Sequence, residues 1–163
     1  MDREVFCLKK NKKLLIICVV IPLAVGGLAA LLTGGGMDAF EALNQPPLSP
    51  PGWLFPVVWT ILYILMGVAS WLAAASGKPR EGIRRALVLY GMQLLFNFLW
   101  PVFFFGLSAY LFALIWLAGL WLLVLATLVC FRRLSRTAGH LMLPYLLWVT
   151  FAGYLNLGVY LLN

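Results

Sequence analysis

Polar residues in this chain are gathered into short clusters, and between them lie long apolar runs without charge. Five such runs, Leu14 to Leu32, Leu54 to Ala75, Ala86 to Phe105, Tyr110 to Phe131 and Leu141 to Leu162, contain no Asp, Glu, Lys, Arg or His. A helix crossing about 30 Å of hydrocarbon needs roughly 20 apolar residues, so each run is long enough to span a bilayer. The pattern predicts an all-α integral membrane protein, one domain over residues 1–163 built as a five-transmembrane-helix bundle with short connections. The longest connection, 33–53, forms the first loop. Within it Asp38-Ala39-Phe40-Glu41 has the order of a capping box, which predicts a helical turn through Leu43. Pro46, Pro47, Pro50 and Pro51 then fix φ and forbid helix, predicting a stiff extended strap that leads into the second span. A rigid linker and a lid over a site both fit that strap. The segment Gly106 to Ala109 is so short that the third and fourth spans must be antiparallel neighbours. Pro22, Pro56, Pro101 and Pro144 each remove a backbone donor inside a span, predicting local bends.

Composition agrees, with 64% hydrophobic and 10% charged residues, and the net charge of +7 is informative through its placement. Arg3, Lys9, Lys10, Lys12 and Lys13 precede the first span; Lys78, Arg80, Arg84 and Arg85 fall between the second and third; Arg132, Arg133 and Arg136 fall between the fourth and fifth. Five spans put all of these on one side, so the positive-inside rule predicts a multi-pass protein of the cell membrane with its N-terminus cytoplasmic and its C-terminus outside. The basic excess then orients the chain and meets lipid headgroups of the bilayer, and nucleic acid is not expected as a partner. The first run also has the parts of a signal peptide. Its length and the recurrence of Gly26, Ala30 and Gly34 every four residues favour a retained span that another helix approaches closely. Cys7, Cys18 and Cys130 show no paired spacing, and His140 reads as a surface residue, so neither a disulfide nor a metal site is expected.

The informative residues inside the spans are uncharged. Trp59, Tyr63, Gly67 and Ser70 share one face of the second span; Gln93, Asn97 and Trp100 share one of the third; Tyr145, Trp148, Ala152 and Asn156 share one of the fifth. Amides facing lipid would be left unpaired at a cost of several kcal/mol, so these stripes are expected to point inward, where they could line one cavity. Trp59 and Trp100 lie about 8 Å inside their spans and Trp148 about 10 Å inside its own, too deep for an interfacial belt. Trp53, Trp71 and Tyr110, near span ends, are read as belt residues, and Trp116 and Trp121, off a common face, as contacts to lipid or a partner subunit.

The segments from Phe55 to Gly67, carrying Trp59 and Tyr63, and from Leu143 to Asn156, carrying Trp148 and Ala152, resemble signatures of the TspO family, the translocator proteins once called peripheral benzodiazepine receptors. Gln93, Asn97, Trp100 and Phe104-Phe105 are similar to its third-helix pattern, and Pro46 with Pro50-Pro51 to its first-loop strap. The likeness covers about Phe40 to Asn163 and is to bacterial members. It implies a five-helix bundle, usually a homodimer, with a pocket beneath the first loop for porphyrins such as protoporphyrin IX and haem and for synthetic aromatic ligands. Trp59, Tyr63, Gln93, Asn97, Trp100, Trp148, Ala152 and Asn156 are the ligand-binding residues it implies. Trp59 and Trp148 are also the pair implicated in light-dependent breakdown of protoporphyrin IX. No cofactor is obligatory on this reading; the porphyrin is the ligand. Leu48 and Gln45 stand where the strap commonly has an aromatic residue and a Lys, so carboxylate recognition at the loop is not expected. No Lys or Arg follows Tyr154 or Tyr160, so the sterol motif of animal members is incomplete.

Two functions from different classes give the polar and aromatic stripes a task, a tetrapyrrole-binding sensor, scavenger or transporter, and an enzyme that degrades protoporphyrin IX oxidatively in light; a purely structural assembly partner leaves Gln93, Asn97 and Trp148 without one. The spans hold no constellation for acid–base, nucleophilic or metal chemistry, so the second would rest on indole redox chemistry. A proton-coupled exporter would need an intramembrane carboxylate, and there is none.

Overall fold

The computed structural model describes residues 12–34 and 36–163, and of residues 37–39 the backbone alone. Arg3, Cys7, Lys9, Lys10 and the Asp38 side chain lie outside what it describes. Among the described residues five helices are long and apolar enough to cross a membrane: Lys12–Leu32, Leu54–Ala74, Arg80–Gly106, Tyr110–Leu134 and Arg136–Leu162, the first to fifth spans. At the basic end helix continues past the apolar runs, starting at Arg80 where the pattern put Ala86 and reaching Leu134 where it put Phe131. Arg and Lys are good helix formers whose long side chains carry charge away from an apolar stretch. On the added turn Glu81 pairs with Arg84 and Arg85 at 3.2 and 2.9 Å.

Prolines shape two spans visibly. The third passes from α-helix to a wider π-type turn, Val102–Gly106, directly after Pro101, whose ring nitrogen cannot donate to the carbonyl four residues back. The fifth is made of a short helix, Arg136–Leu141, and a long one, Leu143–Leu162, with Pro144 in the first turn, where its missing N–H leaves no helical acceptor unpaired. Ser135 starts the short helix, its side-chain oxygen accepting from the Ala138 N–H at 3.4 Å.

Around the bundle the first span neighbours the second, the second the fifth, the fifth the fourth, the fourth the third and the third the first. The second and fifth spans meet mainly through Arg136–Leu141 at the basic end and diverge towards the other. Leu62, Met66, Leu117, Leu120, Val124, Tyr145 and Val149 form the core between them. The backbones of the first two spans come close at Gly67, where a Cβ would lie 2.5 Å from the Val19 Cα and 2.7 Å from the Cys18 carbonyl oxygen. That contact corrects the expectation for the first span. Gly26 makes room for the Tyr63 ring, while Ala30 is exposed and Gly34 lies past the helix end, so the stripe is not a helix-packing seam.

The first loop also differs from its forecast. Its short helix, Gly36–Glu41, begins before Asp38 and ends at Glu41, so Asp38 is no N-cap. Burial of Phe40 against Phe55 and Phe104 sets the position of this helix, and the Glu41 carboxylate accepts from the Gly52 N–H at 3.2 Å, clasping the strap instead of capping a helix. Nor is the strap straight. The Ser49 N–H donates to the Pro46 carbonyl at 3.3 Å across a turn with Pro47 at its second position and Leu48 at its third, φ 66°. That is a type II turn, whose third position normally takes glycine. The strap is fastened to the fifth span: the Tyr154 hydroxyl donates to the Pro47 carbonyl at 2.7 Å, and Pro46 packs on Gly158. Asn44 exchanges two hydrogen bonds of 3.0 Å with the Asn163 side chain.

Candidate functional site

Between the first three spans, at the strap end, lies a cavity of about 400 Å³. The first span contributes Leu23, Gly26, Gly27, Ala29, Ala30 and Thr33; the second Phe55, Pro56, Trp59, Thr60 and Tyr63; the third Asn97, Trp100, Pro101 and Phe105. Gly36 completes it from the loop. Helical spacing explains the walls, because Phe55, Trp59 and Tyr63 follow one another at four-residue steps on one face. The first span supplies small residues there, and the missing side-chain volume is the cavity. Gly27, Ala30, Pro56 and Thr60 are exposed, so the cavity opens sideways between the first and second spans.

Each aromatic wall is held by a neighbour. Trp59 stacks on Tyr63 with centroids 5.6 Å apart and meets Tyr145 edge on at 6.1 Å. Trp100 stacks on Phe104 at 5.1 Å, and its Nε1–H donates to Asn156 Oδ1 at 3.2 Å, while Asn156 Nδ2 donates to the Tyr110 carbonyl at 2.9 Å. At the floor, the Tyr63 hydroxyl and both ends of the Asn97 amide are hydrogen-bonded, with Tyr145 completing the set. The lining contains no Asp, Glu, Lys, Arg, His or Cys, and among the described residues no group of three such metal ligands occurs. Chemically the site offers flat ring faces, hydrocarbon and a few neutral dipoles, which suits a flat, largely apolar guest.

Of the residues singled out by sequence, Trp59, Tyr63, Asn97 and Trp100 meet in this cavity. Gln93 lies one turn below Asn97, fully buried, its Nε2 3.7 Å from the Met66 sulfur and its Oε1 without a donor among the described residues. Asn156 stands behind Trp100, and Ala152 is part of the packed core. Trp148 lies across the second span, in a separate groove with Val58, Ile61, Leu62, Leu65, Pro144, Leu147 and Phe151. The periodicity turned the fifth-span stripe inward, but the order of spans around the ring decides what it meets. It meets the second, third and fourth spans and leaves the opposite cavity wall to the first. Glycine and alanine carry no chemical signal, so the sequence marks Gly26 and Ala30 of the first-span lining only as packing residues.

Other tryptophans correct the belt and lipid assignments. Trp53 is 68% exposed, as a span-end residue would be, whereas Trp71 and Tyr110 are half-buried in the bundle. Trp116 stacks on Phe96 at 4.1 Å and donates to its carbonyl at 2.9 Å, and Trp121 donates to the Thr150 hydroxyl at 2.8 Å. Both indoles tie the fourth span to its neighbours through their Nε1–H groups and remain partly exposed.

The sequence profile of the TspO/MBR family matches residues 18–161. The chain is 37% identical to the "Tryptophan-rich protein TspO" of Chlorobaculum tepidum over 156 residues, covering 94% of this chain and 99% of that one. It is 42% identical to the "Tryptophan-rich sensory protein" of Cereibacter sphaeroides over 124 residues, 76% of each chain. With the "Translocator protein" of Bos taurus it shares 35% identity over 140 residues, 84% of this chain and 82% of that one.

Proposed function

The chain belongs to the TspO/MBR family of membrane proteins, and on that premise we propose that it binds a tetrapyrrole, protoporphyrin IX or haem, in the cavity between its first three spans, as sensor, scavenger or transporter. The observation that supports this most is the set of Trp59, Tyr63 and Trp100 around an uncharged space at membrane depth. Aromatic stacking contributes about 0.5–1.5 kcal/mol per ring beyond simple burial. A volume of about 400 Å³ is at the small end of the roughly 300–1,000 Å³ that drug-sized ligands occupy, so a macrocycle would extend beyond it, through the side opening.

Light-driven oxidation of the bound porphyrin by dioxygen is the second reading, favoured by Trp59 in the cavity wall beside Tyr63. One experiment separates the two. Purified protein is titrated with protoporphyrin IX in darkness, and tryptophan quenching that saturates near one ligand per chain is the expected result. Absence of saturable quenching would overturn the binding function. Loss of the porphyrin band under illumination, with a ring-opened product, would add the enzymatic one.

The same reading includes a cytoplasmic N-terminus and a homodimer built from helix faces. Ala86 on the third span is fully buried and cannot meet a second copy, whereas Val88, Met92 and Leu95 on that span are exposed.

A further inference from the structure

Before it reaches the second span, the strap comes down the side of the fifth. Asn44 is tied to Asn163 beyond the end of that helix, Pro46 packs on Gly158, and the Pro47 carbonyl accepts from the Tyr154 hydroxyl. At 1.5 Å per residue, Gly158 lies about 6 Å and Tyr154 about 12 Å below Leu162. Tyr154 shares a face of its helix with Leu147, Leu157 and Leu161, all exposed and turned outward from the bundle, which is the side that meets lipid. The first residue of the fourth span, Tyr110, is level with Asn156, whose Nδ2 donates to its carbonyl at 2.9 Å, so the apolar edge of the bundle passes close to Tyr154. The turn from Pro46 to Ser49 therefore rests at the rim of the membrane-spanning region. Irregular chain beside hydrocarbon must satisfy its own N–H and C=O groups. Pro46, Pro47, Pro50 and Pro51 have no N–H to satisfy. The Pro46 carbonyl accepts from the Ser49 N–H at 3.3 Å and from the Ser49 hydroxyl at 2.8 Å, the Pro47 carbonyl from Tyr154 at 2.7 Å, and Glu41 takes the Gly52 N–H at 3.2 Å. With these polar groups turned inward, the strap displays two large apolar side chains, Leu48 and Trp53, and Leu48 is 84% exposed. Leu48 also holds φ 66°, where leucine is strained and glycine is not. A strained side chain that buries almost nothing within the protein is accounted for by packing outside it.

We propose that the strap is anchored in lipid: Leu48, with Trp53 beside the head of the second span, inserts among the phospholipids of the leaflet on the strap side, at the boundary between headgroups and acyl chains. The insertion is shallow, so the strap stays within reach of water-borne reagents. Trp53 brings the amphipathic ring that suits this boundary, and Leu48 brings hydrocarbon. The bilayer thereby becomes a further tie on the strap, added to those from Asn163, Tyr154 and Glu41, and the hold on the strap depends on the membrane around it. None of this rests on the porphyrin reading.

The test uses the full chain in phosphatidylcholine nanodiscs with labelled leucine methyl groups, the Leu48 signal being the one lost in Leu48→Met. That signal is expected to broaden with lipid carrying a nitroxide near the glycerol end of its acyl chain, and clearly less with a water-borne gadolinium chelate. A second measurement, free of any probe, reads hydrogen exchange at the Ser49 and Gly52 amides. Leu48→Asn suits the third position of a type II turn, so a strap held by local geometry alone would exchange more slowly in that variant. With the anchor lost, exchange at both amides is expected to become about fivefold faster instead, while Leu48→Met, which keeps an apolar side chain, should stay within about twofold of wild type. Slower or unchanged exchange in Leu48→Asn overturns the proposal. A Leu48 signal that the chelate broadens as much as the lipid nitroxide overturns it as well, and would leave the exposed pair to a protein partner.

Discussion

The Tyr63 hydroxyl donates to Asn97 Oδ1 over 2.6 Å, joining the second and third spans at the cavity floor. Because Asn97 Nδ2 also donates to the Tyr145 hydroxyl at 3.0 Å, one amide connects three spans. Asn97→Ala strands two buried tyrosine hydroxyls and should destabilise the protein by about 2 kcal/mol. Tyr63→Phe removes one bond of the kind that averages about 0.6 kcal/mol between membrane helices, and should cost no more than about 1 kcal/mol. Thermal unfolding in mild detergent checks the ranking; equal losses would mean that the amide is not the hub.

Gln93 is buried below the cavity with an unpaired Oε1, and its one side-chain partner is a weak acceptor, the Met66 sulfur. Gln93→Leu removes a desolvated carbonyl while keeping most of the volume. The variant is expected to be as stable as wild type or up to about 1 kcal/mol more so, with porphyrin affinity unchanged. A marked loss of affinity would return Gln93 to the site.

Gly67 lies where the backbones of the first two spans touch, while Gly91 has nothing within 4 Å of a built Cβ. Gly67→Ala should therefore cost about 1–3 kcal/mol through displaced helices. Gly91→Ala should be neutral or gain up to about 1 kcal/mol from helix propensity. Unfolding midpoints of the pair test the contact, and similar shifts in both would refute it.

Trp59 lines the cavity, whereas Trp53 is exposed at the head of the same helix. Trp59→Phe keeps a ring but loses the more oxidisable indole. It should weaken dark porphyrin binding less than about tenfold, or roughly 1.4 kcal/mol, and suppress any photodegradation. Trp53→Phe should alter neither. If the two variants behave alike in both assays, Trp59 does not hold the ligand.

Much of this was legible in the sequence. Charge-free runs marked five spans because the energetic demand on a membrane helix is local and one-dimensional. Tyr63, Asn97 and Trp100 announced themselves because a buried polar or amphipathic group must find a partner inside. Which partner it finds is another matter: Asn156 and Trp148 share a face, yet one serves Trp100 and the other a separate groove, and only the order of spans distinguishes them. The tilt of Glu41 towards Gly52 was hidden for the same reason, since the clasp depends on where the strap turns. Glycine and alanine on the first span form a wall by what they lack, which no motif records.

The placement of basic residues predicts an orientation that labelling can check. In a chain whose native cysteines have been replaced, a cysteine at Leu48, 84% exposed on the strap, should react with an impermeant reagent from outside intact cells. One at Arg133, in the basic connection, should react only after permeabilisation. The reverse pattern would invert the topology.

The order of spans around the ring also governs synthesis. A chain made from its N-terminus lays down the first four spans before the fifth, yet the fifth sits between the second and the fourth. Until it arrives, Leu62 and Met66 of the second span and Leu120 and Val124 of the fourth have no fifth span to pack against, and the Asn97 amide lacks Tyr145. The fifth span is thus the keystone, and Asn163 beyond its strap end latches Asn44 of the first loop. The packing of the second span against the fourth is therefore completed only when the fifth enters between them.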